Sequence, residues 1–259
     1  MTDAKKPPPK VGFFDFTSCE GCQLTVIDCL QTHPELLDVI DIVEFREAMT
    51  GHAERYDIAF IEGSCTRPSD EERLASIRAR ATVVVALGAC AHIAGINAIR
   101  NNRSLAEVRN IVYGTEGDKF ESYPARPISA VVKVDFMVPG CPISEEEFLQ
   151  IVTVLLQGRS PELPDYPVCI ECKLRETVCV YHRGRTCLGP VTRAGCRAIC
   201  PAAGYECVGC RGLTSNPNLE SLEQVMAEHG LKSDAMQSRL DMFLAWEMNE
   251  RRAKEASRE

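Results

Sequence analysis

The chain of 259 residues carries a formal net charge of −8, with 37 acidic against 29 basic side chains, 45% hydrophobic residues and 14 cysteines. That length and apolar content bury a core without disulfide staples, so the cysteines point to metal before cross-linking. The acidic balance, with Lys and Arg dispersed, excludes a phosphate-gripping nucleic-acid protein, and no apolar run approaches the ~20 residues of a membrane-spanning helix.

Met1 to Lys10 is rich in Lys and Pro, without a twin-arginine pair, an apolar signal core or a small-residue cleavage site. The expectation is a cytoplasmic protein whose thiols stay reduced and available to metals. Residues 11–16, 40–45, 58–61, 82–87 and 131–138 are short apolar runs rich in Val, Ile and Phe. They read as strands, several of them nearly continuous, as in a sheet covered on both faces. Helical stretches alternate with them. One begins at Ser69 in a capping box with Glu72, another at Ser144 in a box with Glu147, followed by an apolar stripe ending at Gly158. Strand-helix alternation predicts an α/β fold, a flavodoxin-like doubly wound parallel sheet.

Residues 158–165 hold a glycine, two prolines and polar side chains, the composition of a linker. The boundary falls near residue 160, giving a sheet domain over 1–160 and a cysteine-rich domain over 161–259. Eight cysteines crowd between Cys169 and Cys210, where apolar periodicity is too weak to build a core. Cross-links must organise that irregular segment. Two terminal helices follow: 219–229, stopped by Gly230, and a longer one capped by Ser233 with Met236, Leu240, Phe243 and Leu244 on a packing face.

Four cysteines of the first domain share one place relative to the predicted sheet. Cys19 and Cys22 follow the first strand, Cys90 follows 82–87 and Cys141 follows 131–138. The carboxyl ends of parallel strands form the ligand-binding edge of such folds. Four soft thiolates there suit a 4Fe-4S cube or a tetrahedral zinc. Gly21, Gly88 and Gly140 stand beside them, where they let the backbone approach and aim N–H groups at sulfur. In the second segment the simplest partition by order is Cys169, Cys172, Cys179 and Cys187 for one site, then Cys196, Cys200, Cys207 and Cys210 for the next. Two all-thiolate zinc sites satisfy the same count, whereas Cys200-Pro201 and Cys141-Pro142 echo the Cys-Pro ending of ferredoxin motifs and lean toward iron.

The order of Thr17-Ser18-Cys19-Glu20-Gly21-Cys22-Gln23-Leu24, Ile61-Glu62-Gly63-Ser64, Gly88-Ala89-Cys90, Pro139-Gly140-Cys141-Pro142 and Cys187-Leu188-Gly189-Pro190-Val191-Thr192-Arg193-Ala194-Gly195-Cys196 resembles the small subunit of nickel-iron hydrogenases. The match is nearest to the delta subunit of the soluble NAD(P)-linked, sulfhydrogenase-type enzymes and runs over roughly residues 10–212. The resemblance implies three 4Fe-4S clusters: a proximal one on Cys19, Cys22, Cys90 and Cys141, a medial one on Cys196, Cys200, Cys207 and Cys210, and a distal one on Cys169, Cys172, Cys179 and Cys187. Many relatives have a histidine in place of Cys169 and a proline in place of Cys200, so this chain departs from the respiratory type and should hold no 3Fe-4S cluster. The complex I small subunit is a cousin with adjacent cysteines in place of Cys-x-x-Cys and without the eight-cysteine segment.

The implied function is electron transfer in a cytoplasmic hydrogenase complex performing H2 ⇌ 2 H+ + 2 e−. The catalytic nickel-iron site lies in a separate large subunit, and the outlet is a flavin subunit acting on NAD(P), helped by another iron-sulfur subunit. A heterodisulfide-reductase, deazaflavin or ferredoxin partner is the alternative outlet, and a zinc-stabilised interaction module is the rival from another class. Cys29 reads as a buried small residue, and Cys65 as an unbonded neighbour of the proximal cluster on the same sheet edge. Glu20 and Glu62 are read equally as proton carriers, large-subunit contacts or structural hydrogen-bonding groups.

Overall fold

The computed structural model describes residues 7–257, so the first part of the Lys- and Pro-rich start lies outside the described residues. Five parallel strands form one sheet in the order β2-β1-β3-β4-β5, with β1 Lys10–Asp15, β2 Asp41–Phe45, β3 Tyr56–Glu62, β4 Ala81–Leu87 and β5 Phe136–Val138. This is the doubly wound order of flavodoxin-like folds. Alternation along each strand divides the core. Val11, Phe13, Ile58, Phe60, Val85 and Leu87 face one side, where α1 (Gly21–Thr32) packs through Val26 and a later helix packs through Phe148 and Ile151. Phe14, Ala59, Ile61, Val84 and Ala86 face the other, against Leu74 and Ile77 of α2 (Pro68–Arg80). Both faces are covered, which is why the strands read as nearly continuous apolar runs.

The expected strand over 131–138 shortens to β5. Asp135 is the physical reason. Its carboxylate accepts the Val84 N–H at 2.9 Å and is paired with Arg78, so the donor that a longer ladder would use is taken. Upstream, Ile128–Ala130 closes a 3-10 turn, and Val131, Val132 and Val134 pack on the second core from outside the sheet.

The helix expected from Ser69 begins one residue earlier, with Arg67 at its cap and Pro68 in the first turn, where the missing N–H costs nothing. Asp70, not Glu72, accepts the Arg67 N–H at 3.1 Å.

After β4 the chain forms α3 (Gly88–Ile93), a 3-10 stretch over Gly95–Asn102 and α4 (Leu105–Tyr113). α5 (Glu145–Leu156) starts at Ser144, whose hydroxyl accepts the Glu147 N–H at 3.4 Å. The Glu147 carboxylate does not complete the box, because it is engaged elsewhere.

Beyond residue 160 come two short helices, α6 (Val168–Leu174) and α7 (Ile199–Ala202), and then α8 (Leu219–Glu228) and α9 (Ser233–Ala256). Ser233 is the first helical residue of α9 and Lys232 the cap, a one-residue correction of the expected start. Leu240, Phe243 and Leu244 join Met226, Leu188, Ala89 and Ile93 in a third core, with Met236 at its margin. Among the described residues no helix is long and apolar enough to cross a membrane.

Leu244 is fully buried in that third core. Leu244→Ala should lower stability by about 2–5 kcal/mol, read as a lower urea midpoint in the fluorescence of Trp246, the single tryptophan of the chain. An unchanged midpoint would show that α9 is not fastened on this core.

Candidate metal centres

The loop from β1 into α1 carries Cys19 and Cys22, α3 carries Cys90 and the loop after β5 carries Cys141, so all four gather at the carboxyl edge of the parallel sheet. They are close enough to feel one another. Burial, then Cys141 and Cys19, push the Cys90 thiol up to about 12. Burial, then Glu62, raise Cys22, with Cys141 and Cys90 adding to it. Burial and Cys19 raise Cys141. Gly88 makes the cradle possible: at φ +81° it adopts a conformation glycine favours, and a Cβ there would run into the Cys22 sulfur.

Glu62, at the end of β3, is 2% exposed and accepts the N–H groups of Cys22 (3.2 Å) and Gln23 (2.9 Å). Burial pushes its carboxyl up, against the pull of those two bonds. It therefore serves as the anchor of the first turn of α1. Glu20 stands at the helix cap with φ 63° and makes no side-chain capping bond.

The eight later cysteines also lie near one another, with Cys172, Cys187, Cys196 and Cys207 around one small core. Burial, then Cys187, Cys172 and Cys179, push Cys169 up to about 11. Cys172 rises to about 11 through burial, Cys187 and Cys179, with Cys196 beyond. Burial, then Cys196, with Cys141 and Cys200 adding, push Cys210 up to about 12, and burial, then Cys187, raise Cys207, with Cys210 adding. These influences run from the first four cysteines to the later eight through Cys141 and Cys210, and on through Cys196 with Cys172 and through the Cys207 N–H, which lies 3.2 Å from the Cys187 sulfur.

Backbone N–H groups reach the Cys187 sulfur, from Gly189 (3.4 Å) and Cys207 (3.2 Å). Of the expected Gly21, Gly88 and Gly140, Gly88 gives the Cys22 sulfur its space. Thiols held this high keep their protons at neutral pH unless a metal displaces them. All-thiolate sets fit iron-sulfur chemistry and tetrahedral zinc alike, and among the described residues no three His, Cys, Asp or Glu side chains lie close enough together to ligate one ion.

Cys65 does not stay with the first gathering. It is fully buried in the second core, on the sheet face away from Cys22, and burial, then Asp70 and Glu71, push it up to about 12. Cys29 is buried in the first core beside Val26.

Two groups had no counterpart in the sequence reading. Arg211, directly after Cys210, is 1% exposed; it grips Glu147 with both guanidinium nitrogens (2.6 and 2.7 Å) and donates to the carbonyls of Ala194 (2.8 Å) and Pro139 (2.9 Å). It thereby ties the loops of Cys141, Cys196 and Cys210 together. Gly195, at φ +116°, leaves the guanidinium its place, since a Cβ would strike it. Glu171 accepts the N–H groups of Gly195 (2.8 Å) and Ala198 (3.0 Å) and lies 3.9 Å from the Cys196 sulfur. A charged residue beside a Cys-x-x-Cys pair was the only available signal for Arg211, and it does not name its partner.

The chain matches the family of the NADH ubiquinone oxidoreductase 20 kDa subunit over residues 19–155. The sulfhydrogenase 2 subunit delta of Pyrococcus furiosus is 36% identical over 92% of this chain and all of that protein. A subunit of the F420-non-reducing hydrogenase vhu of Methanococcus voltae is 33% identical over 79% of this chain and 82% of that protein. The solved NAD+-reducing [NiFe]-hydrogenase in its H2-reduced state contains a chain that superposes with a TM-score of 0.54 at 26% identity, over 61% of this chain and 96% of that one.

Arg211→Met leaves the Glu147 charge buried and alone, which should cost about 3–5 kcal/mol. Adding Glu147→Met should restore most of that loss. Urea unfolding of the two single variants and the double variant measures the coupling, and a double variant as unstable as the sum of the singles would deny it.

Proposed function

Because the chain belongs to the iron-sulfur small subunits of the nickel-iron hydrogenases, within the NADH ubiquinone oxidoreductase 20 kDa subunit family, we propose that twelve of its cysteines hold three 4Fe-4S clusters. The observation that supports this reading is the run of mutually influencing thiols from the sheet edge through Cys141 and Cys210 to Cys187 and Cys172. Cys19, Cys22, Cys90 and Cys141 would hold the proximal cluster, Cys196, Cys200, Cys207 and Cys210 the medial one, and Cys169, Cys172, Cys179 and Cys187 the distal one. Bound there, clusters supply one-electron conduction between a nickel-iron site and a redox partner.

The residues of this chain do the holding and the tuning. Strand ends and short helices bring thiolates together, backbone N–H groups offset their charge, and the cores over Leu87, Leu188 and Leu244 keep water from the inner sulfurs. Catalysis, H2 ⇌ 2 H+ + 2 e−, belongs on this reading to a separate nickel-iron large subunit, and no residue of this chain is catalytic. The division near residue 160 separates a sheet domain, 1–160, from a cluster domain, 161–259. We place the complex in the cytoplasm, with a flavin subunit acting on NAD(P) and a further iron-sulfur subunit as the outlet. The sulfhydrogenase relative and the NAD+-reducing structure support that outlet. The name of the F420-non-reducing relative speaks only against a deazaflavin acceptor for that enzyme, and a heterodisulfide-reductase or ferredoxin partner is the second reading of the outlet.

Anaerobically purified protein should contain about twelve iron and twelve acid-labile sulfide per chain and co-purify with a nickel-containing subunit. Colourless protein carrying zinc would replace this reading with that of a zinc-stabilised interaction module.

Damage at the two ends should differ. Cys172→Ala should deplete iron and abolish hydrogen-driven NAD(P) reduction, while exchange between deuterium gas and water protons survives in the assembled complex. Cys22→Ala, beside the large subunit, should lose both activities. Full NAD(P)-linked turnover in an iron-depleted Cys172→Ala complex would refute the assigned order.

A further inference from the structure

In a chain of net charge −8, one cavity gathers positive charge. It measures about 520 Å3 and is lined by Arg46, Arg67, Arg73, Arg100 and Arg109, against Asp15 and Glu121. Three of the arginines are answered: Arg46 and Arg73 by Asp15, and Arg67 by Asp70. Arg100 and Arg109 have no carboxylate partner among the described residues. Arg100 donates to the Tyr123 carbonyl at 2.6 Å while its buried Nε has no partner, and Arg109 donates to the carbonyl and hydroxyl of Ser122. Burial, and then Arg109, hold the Arg100 guanidinium below its ordinary range. Two guanidinium groups spent on neutral acceptors leave an oxyanion's worth of charge unmet.

The wall beside them lacks a cover. α4 has no buried residue, although it carries Ile111 at 65% and Val112 at 62% exposure. Tyr113 stacks on Phe120 at 4.1 Å, and both rings remain nearly half exposed. A nine-residue helix with no fully buried residue gains little packing from its own chain, and an apolar patch rimmed by charge marks an interaction surface. The patch is continuous with the first cysteine gathering. Thr17 and Ser18, which precede the exposed Cys19, line the same cavity, and Asn97 fixes that loop through the Thr17 carbonyl (2.7 Å) and the Ser64 hydroxyl (2.9 Å).

We propose that this cavity is an anchor for the nickel-iron large subunit, which seats a side-chain carboxylate on Arg100 and Arg109 and covers the outward face of α4. The inference rests on the hydrogenase reading above and adds to it a specific anchor of stated chemistry. Positive charge in the cavity selects an acidic segment, and the apolar rim excludes water around the pair once docked.

The test uses the co-purified complex and measures the large-subunit affinity and the salt concentration at which the two subunits separate. Arg109→Glu reverses one charge of the anchor, and Val112→Asp places a carboxylate at the mouth without touching a buried group. Each should weaken association about tenfold and move separation to lower salt, whereas Lys254→Glu on α9, away from the patch, should not. Val112→Asp decides the matter alone if Arg109→Glu does not fold. Unchanged separation in the folded variants would overturn the anchor, including the outcome in which inorganic phosphate, titrated at constant ionic strength, still binds the cavity of the assembled wild-type complex. A wild-type chain that binds no nickel-containing subunit would instead sink the hydrogenase reading, so the two failures are distinguishable.

Discussion

The ion pair between Arg211 and Glu147 is the joint on which the two halves of the chain depend. Taking both charges out of water costs several kcal/mol per ion, and only good geometry with further hydrogen bonds offsets it. Here the contact is bidentate, and the remaining guanidinium donors reach the Ala194 and Pro139 carbonyls. An apolar pair of the same volume could match its stability. It could not reach the loops before Cys141 and Cys196 at once, because only the planar fork of arginine presents donors in three directions. The interaction fixes register between the sheet and the cysteine-rich segment, more than it adds to stability.

That register matters because the cysteine-rich segment has little else to hold it. Its own core is small, and Cys187 and Cys207 are themselves part of it. Thiols in such places are raised by burial and by one another, so the polypeptide alone favours the protonated, uncharged form. Metal binding reverses that preference, and the free energy of binding becomes folding free energy for the segment. The sheet domain stands differently, with apolar layers on both faces that need no metal. Dependence on bound iron therefore rises along the chain, and α8 and α9 return it to an ordinary apolar core.

Much of this was legible in the amino-acid order. Apolar runs marked four of the strands to within two residues, and their ends placed Cys19, Cys22, Cys90 and Cys141 on one edge. The expected strand over 131–138 failed because periodicity cannot show that Asp135 will spend its carboxylate on the Val84 N–H. Cys65 was expected on the edge with the first cysteines, but after the Gly63 turn, at φ +95°, the chain delivers it to the opposite face. The sulfur-directed N–H donors were assigned to nearby glycines by local reasoning. The two that reach Cys187 come from Gly189 and from Cys207, which loop closure brings across 20 positions. Arg211 was illegible for the same reason: its partner is 64 positions away.

The cross-gathering contacts give the order of the cysteines a physical sense. On the proposed assignment the distal set, from Cys169, precedes the medial set, from Cys196, along the sequence, yet it is Cys210 of the later set that lies within reach of Cys141. Cys141 acts on the Cys210 thiol, the Cys207 N–H reaches the Cys187 sulfur at 3.2 Å, and Cys196 acts on Cys172. A chain that ran outward from the sheet in simple order would leave its last thiols farthest away and its carboxyl-terminal helices unsupported. By going out to Cys169 first and returning through Cys210, it brings Arg211 back to Glu147 and lets α9 settle on Ala89 and Ile93 of the sheet domain. Sulfur sites in series and a closed hydrophobic core then follow from one path of the backbone, each requiring the return that the other stabilises.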